Sequence, residues 1–149
     1  MYRWIFALVC FLPVSALAQT ELDWSMLAEY VSYDTKFDDA AGYMQVIPEY
    51  KGPLAKLDSQ IVRITGYILP LDTEGNQVML SAFPYSACFF CGGAGRESVL
   101  ELKLADPDLR FDMDDVLMFE GMLELNRDPF GLNYYLHEAR VVKESRWNR

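Results

Sequence analysis

The sequence predicts an all-β protein, a small five-stranded antiparallel barrel preceded by a short N-terminal helix. Three observations carry this. Five segments between Gln60 and Val142 alternate apolar and polar residues with period two, turn-forming residues punctuate them, and no long helical period intervenes.

The chain begins with one basic residue, Arg3, then the apolar run Trp4 to Val14 and the small-residue pattern Ala16-Leu17-Ala18. That order is the signature of a signal peptide over residues 1–18, with the mature chain starting at Gln19. A spanning helix needs about 20 apolar residues, whereas this run is shorter and broken by Pro13. Cys10 follows the bulky Val9, where a lipidated cysteine would follow a small residue, so it is expected to leave with the leader. Export places the protein in the periplasm or outside the cell, with no membrane span in the mature chain. The roughly 130 residues that remain suffice for one domain with its own core.

From Thr20 and Asp23, both acceptable caps, Trp24, Leu27 and Val31 recur at helical spacing and predict a short amphipathic helix over 23–33 within an N-terminal segment 19–42. A polar stretch, Asp34 to Asp39, precedes Tyr43-Met-Gln-Val-Ile47, after which Pro48 and Pro53 keep the chain extended to Leu57. The barrel domain is expected over 43–142. Its first strand, from Gln60 to Pro70, sets Val62, Ile64, Gly66 and Ile68 on one face and Arg63, Thr65 and Tyr67 on the other. Thr73-Glu-Gly-Asn76 supplies a turn, and Val78, Leu80 and Ala82 alternate in a second strand that pairs with the first as a hairpin. A third strand points Leu100, Leu102 and Leu104 inward and Val99, Glu101 and Lys103 outward, ending at Asp106-Pro-Asp108. Leu117, Phe119, Gly121, Leu123 and Leu125 mark the fourth strand, and Asn126 to Gly131 turns the chain into the fifth, Leu132 to Val142. Residues 143–149 are a polar tail. Gly66 and Gly121, central in their strands, suit the tight coiling that closes a small barrel, so an OB-like barrel is preferred to an open sandwich.

The chain carries 13 Lys and Arg against 22 Asp and Glu, a net charge of −9 that becomes −10 once Arg3 leaves with the leader. Such a surface repels phosphate backbones and anionic membranes and suits cations or basic partner surfaces. Nucleic acid is therefore excluded as a partner class.

Chemistry concentrates in Ala87-Cys-Phe-Phe-Cys-Gly-Gly-Ala-Gly95, between the second and third strands, whose Cys88 and Cys91 are the only cysteines of the mature chain. Three functions compete for this loop. As a metal site, a C-x-x-C turn converges two sulfurs, but structural zinc needs four ligands. The only histidine, His137, with a carboxylate such as Glu97 or Glu138, a water or a second chain, would have to complete a Zn2+ site, whereas soft Cu+ accepts two or three ligands. As a thiol-disulfide oxidoreductase, the motif should open a helix, which Gly92-Gly-Ala-Gly95 disfavours. As a structural pair, the cysteines would form a disulfide in an oxidising compartment and shape the loop, presenting Phe89, Phe90 and Arg96 to an envelope partner protein.

His137 groups by alternation with Tyr135, Ala139 and Val141, which also fits a hydrogen-bonded histidine of the barrel wall. The acidic run Asp106 to Asp115 lacks EF-hand spacing and reads as a solvated turn. Ser86, His137 and several acids could compose a triad, yet no nucleophile-elbow sequence is present and no catalytic residue is assigned.

Several stretches together resemble a family of uncharacterised exported bacterial proteins with OB-like barrels: Trp24-x-x-Leu27, Pro48-Glu-Tyr50, Leu54-x-x-Leu57-Asp58, Val62 to Leu71, Phe83-Pro-Tyr85 with Cys88, Gly121-Met-Leu123 and Tyr135-x-Leu-x-x-Ala139. The resemblance covers most of the mature chain. It implies a barrel domain of unknown function, and association of some members with metal-linked transport systems implies a metal-related role. Related sequences can follow the first cysteine with a histidine and a proline run, whereas this chain has Phe89-Phe-Cys-Gly-Gly-Ala-Gly. A ligand held by those members is therefore not carried over.

Overall fold

The computed structural model describes residues 20–40, 42–72 and 77–144. The leader, the Thr73–Asn76 turn and the end of the polar tail lie outside the described residues. The elements are β1 (Thr20–Glu21), α1 (Trp24–Glu29), β2 (Val31–Asp38), β3 (Tyr43–Tyr50), α2 (Gly52–Ala55), β4 (Ile61–Pro70), β5 (Val78–Ser81), β6 (Val99–Leu104), β7 (Val116–Leu125) and β8 (Tyr134–Glu144).

The five expected strands close into a barrel in the order β4-β5-β6-β8-β7, with β7 returning to β4. All contacts are antiparallel except β6 with β8, which run parallel, giving the order of an OB-like barrel. β5 reaches only the second half of β4, and Thr20–Glu21 of β1 pairs in parallel with Val62 and Arg63 in the first half. Gly66 and Gly121 sit where strands press together. A Cβ at Gly66 would lie 2.6 Å from the Ser81 carbonyl oxygen, and one at Gly121 2.6 Å from that of His137.

The core follows the predicted alternation on β4 and β7: Val62, Ile64 and Ile68 pack inside against Phe119 and Leu123. Each fully enclosed leucine or isoleucine contributes about 1.5–3 kcal/mol through the water it sheds. α1 adds Leu27 to this core, and the Leu27 carbonyl accepts the Tyr134 hydroxyl at 2.8 Å. Asp23 caps the helix by accepting the Ser25 N–H at 2.7 Å, and Trp24 Nε1 donates to the Thr65 carbonyl at 2.7 Å. No helix among the described residues is long and apolar enough to cross a membrane.

Four sequence expectations change. The helix ends at Glu29, not residue 33, because the stretch Val31-Ser-Tyr33 enters a strand. The polar stretch and the segment after it form an antiparallel hairpin, β2–β3, as a separate two-stranded sheet. Val99, expected outward, is fully buried because the cysteine loop folds over that face. On β8, Glu138 takes a left-handed conformation (φ 52°) and bulges, so pairing skips from His137 to Ala139 on β6. Tyr134, Leu136 and Ala139 therefore all join the core, and His137 lies on the other face.

Candidate functional site

The cysteine loop links β5 to β6. Its ends are tied by Ala82 N–H donating to the Ser98 carbonyl at 3.0 Å, and Pro84 opens the first of three 3-10 turns, Tyr85–Ala87, Phe89–Cys91 and Arg96–Ser98. Pro84 suits that place because its fixed φ needs no N–H there. Cys88 precedes the second turn and Gly92, at φ 75°, closes it, a conformation that favours glycine. Cys91 N–H donates back to the Cys88 carbonyl at 3.2 Å, and Gly93 N–H to the same oxygen at 3.1 Å. The α-helical opening that thioredoxin-type chemistry uses is replaced by a single tight turn.

This turn gives the two cysteines different surroundings. Cys88 is fully buried in a second apolar cluster with Leu69, Met79 and Val99, against which Phe89 and Leu132 pack. Leu69 and Met79 are a cross-strand pair of β4 and β5, so the cluster lies on the barrel's outer wall with the loop as its cover. Cys91 is exposed. Its thiol neighbours the Cys88 thiol and the Tyr85 hydroxyl, and both cysteines are free thiols. Desolvation, then the charge and hydrogen bond of Cys88, push the Cys91 thiol above its ordinary pKa, with Tyr85 opposing them.

The phenylalanines divide likewise. Phe89 turns into the outer cluster, while Phe90 is 41% exposed and meets Phe89 edge to face at 5.3 Å. Tyr85 is also exposed, and its N–H donates to Asp114 Oδ1 at 2.7 Å, fixing the loop to the 105–115 connection. Arg96 donates to the Gly131 carbonyl, tying the loop's other end to the β7–β8 connection. Its guanidinium thus serves a contact within the protein. The contact between Tyr85 and Asp114 escaped sequence reasoning, since no motif pairs a loop amide with an acid 29 positions away.

The remaining metal candidates do not join the cysteines. His137 Nε2 lies 2.5 Å from Glu124 Oε2 across the outer β7–β8 face, and Glu138 is exposed at the bulge. Glu97 lies beside the Tyr33 hydroxyl at 3.5 Å. Among the described residues, no three His, Cys, Asp or Glu side chains converge to hold a metal ion. The acidic run serves its own turns: Asp106 accepts the Asp108 N–H, and Asp114 serves the cysteine loop. A cleft of about 380 Å³ opens elsewhere, lined by Leu22, Trp24, Arg63, Thr65 and Met118 with Glu21 and Asp23. Its guanidinium is engaged, for Arg63 holds Glu120 at 2.8 Å.

No protein-family model and no curated protein matches the chain. Among solved structures, the chain is similar to a DUF3299 family protein from Pseudomonas aeruginosa PAO1, at 17% identity and a TM-score of 0.50, over 85% of this chain and 97% of that one. The likeness is one of fold, and it accords with the resemblance to uncharacterised barrel domains. It lends no support to a link with metal transport.

Proposed function

We propose that this chain is an exported binding module of the cell envelope whose working face is the Cys88–Gly95 loop, extended by Tyr85, and that the face recognises a partner protein. The carrying observation is the split environment of the loop: Cys88 and Phe89 anchor it in a buried cluster while Phe90, Cys91 and Tyr85 stand exposed. An apolar group held out by an anchored base loses little freedom on binding, so more of its burial energy appears as affinity. The acidic chain favours a partner with a basic rim around its apolar pocket. In an oxidising compartment the neighbouring thiols would pair, and so short a ring would fix local shape more than global stability.

The test is a photocrosslinking residue at position 90 in cells, with the same residue at the exposed Met122 as control. A protein crosslinked from position 90 alone, and lost in Tyr85→Ser, supports recognition. Equal crosslinking from both positions, or none, ends it.

A second reading rests on the neighbouring sulfurs themselves. Two thiolates suffice for Cu+, whereas Zn2+ would require two further ligands that the described residues do not bring to the turn. Stoichiometric copper in anaerobically prepared protein would support it. Undiminished metal in a Cys88→Ala, Cys91→Ala double variant would refute it. The oxidoreductase reading is weaker, because a nucleophilic thiol needs a lowered pKa and the surroundings of Cys91 raise it.

A further inference from the structure

We infer that the open edge of β2 is a second binding site, independent of the cysteine loop, and that it receives an extended peptide strand alternating apolar and basic side chains. Among the described residues, β2 and β3 form a sheet of their own with no third strand. Pro48 lies opposite Tyr33 and has no N–H, so this is a pair without reciprocal hydrogen bonds. The peptide groups of Tyr33, Thr35 and Phe37 consequently point away from β3, toward the open edge. The Thr35 N–H confirms the phase, since it donates to the Asp34 side chain at 2.9 Å instead of to β3.

The two faces of the hairpin differ in chemistry. Cross-strand pairing puts Tyr33 and Phe37 on one face with Val46 and Met44, which are 41%, 57%, 43% and 55% exposed. The opposite face carries the acids Asp34, Asp38 and Glu49 with Ile47 and Tyr43, and Lys36 and Lys51 lie 3.6 Å from Asp34 and Glu49, so acid exceeds base there by one. A strand added at β2 would lay alternate side chains on these two faces, so apolar residues meet the first and basic residues the second. Main-chain hydrogen bonds would supply affinity and the two faces the specificity. The base of the hairpin is held for this purpose: Tyr50 donates to the Asn126 and Asn133 carbonyls at 2.5 and 2.8 Å, and Asn133 Nδ2 donates to the Tyr33 hydroxyl at 2.8 Å.

A short synthetic peptide alternating valine and lysine, titrated calorimetrically into the full mature chain, tests the site. Binding is expected, with affinity about tenfold weaker or worse in Thr35→Pro, which removes an edge-facing N–H that a docked strand would take over from the Asp34 carboxylate, and in a Phe37→Ser, Met44→Ser variant whose β2–β3 ladder is untouched. A peptide N-methylated at the amides that face β2, and one alternating valine and glutamate, should both fail to bind. Retained binding by the N-methylated peptide, unchanged affinity in both variants, or no binding by the valine–lysine peptide would overturn the inference. So would a dimer of this chain in solution that buries the β2 edge.

Discussion

The Cys91 thiol lies beside that of Cys88, yet Cys88 is wholly enclosed in the outer-wall cluster and Cys91 faces solvent. The first cysteine therefore contributes to packing and the second to reactivity. In reduced protein, Cys88→Ala should cost about 1 kcal/mol by leaving a small void beside Leu69 and Met79, and Cys91→Ala should stay within about 0.5 kcal/mol of the parent. Urea unfolding under reductant measures both. Equal losses would mean that the cluster does not depend on Cys88.

Reactivity should follow the same asymmetry. Because desolvation first, and then Cys88, disfavours its thiolate, Cys91 should alkylate with a pH midpoint above the ordinary 9.0. Replacing Cys88 with Ala removes the secondary causes, so the midpoint should fall. Alkylation rates across alkaline pH, read by intact mass, check both statements, and a midpoint below the ordinary value would contradict the geometry.

The barrel strands were legible because Val62, Ile64 and Ile68 face one continuous core along all of β4, which writes a clean alternation into the sequence. The hairpin was not. β2 does alternate, with Val31, Tyr33 and Phe37 against Ser32, Asp34, Lys36 and Asp38, but its apolar face passes from partly buried to exposed without a continuous core beneath it, and Val31 also completes a helical spacing from Trp24. The C-x-x-C loop could be found, but not the burial of Cys88. Val99 and Met79 point away from the barrel core, and only the loop folding back over them makes a second interior. Alternation records which face of a strand is apolar and says nothing of what covers it.

The bulge at Glu138 explains why alternation grouped Ala139 with Tyr135 and His137, and it makes a prediction of its own. A glutamate at φ 52° carries a left-handed strain that glycine lacks, partly offset by the greater chain entropy glycine loses on folding. Glu138→Gly should stabilise by about 0.5–1 kcal/mol, and the branched Glu138→Val should destabilise by about 1 kcal/mol or more. Deleting Glu138 should be tolerated, because removing the extra residue restores regular alternation and leaves Leu136 and Ala139 two positions apart on the same face. Thermal unfolding of the three variants decides this, and a deletion that costs several kcal/mol would show that Glu138 is not the extra residue that sets the phase.

Two buried tyrosines should give the protein an alkaline limit. Tyr50 donates to the Asn126 and Asn133 carbonyls and Tyr134 to the Leu27 carbonyl, and burial pushes both hydroxyls above the ordinary value of 10.0, with neighbouring tyrosine charge adding to it. These are acids whose pKa is higher folded than unfolded. Their stabilising contribution is therefore complete below pH 10, and it is lost progressively as pH rises from there through the folded values. Tyr134→Phe should remove part of that dependence and leave the Leu27 carbonyl without its donor, costing about 1–3 kcal/mol at neutral pH. Denaturant midpoints at neutral and alkaline pH, for parent and variant, separate the two effects. A parent whose stability stays flat well above pH 10 would show that these hydroxyls ionise without penalty, and that the tie between α1 and β8 is not made through Tyr134.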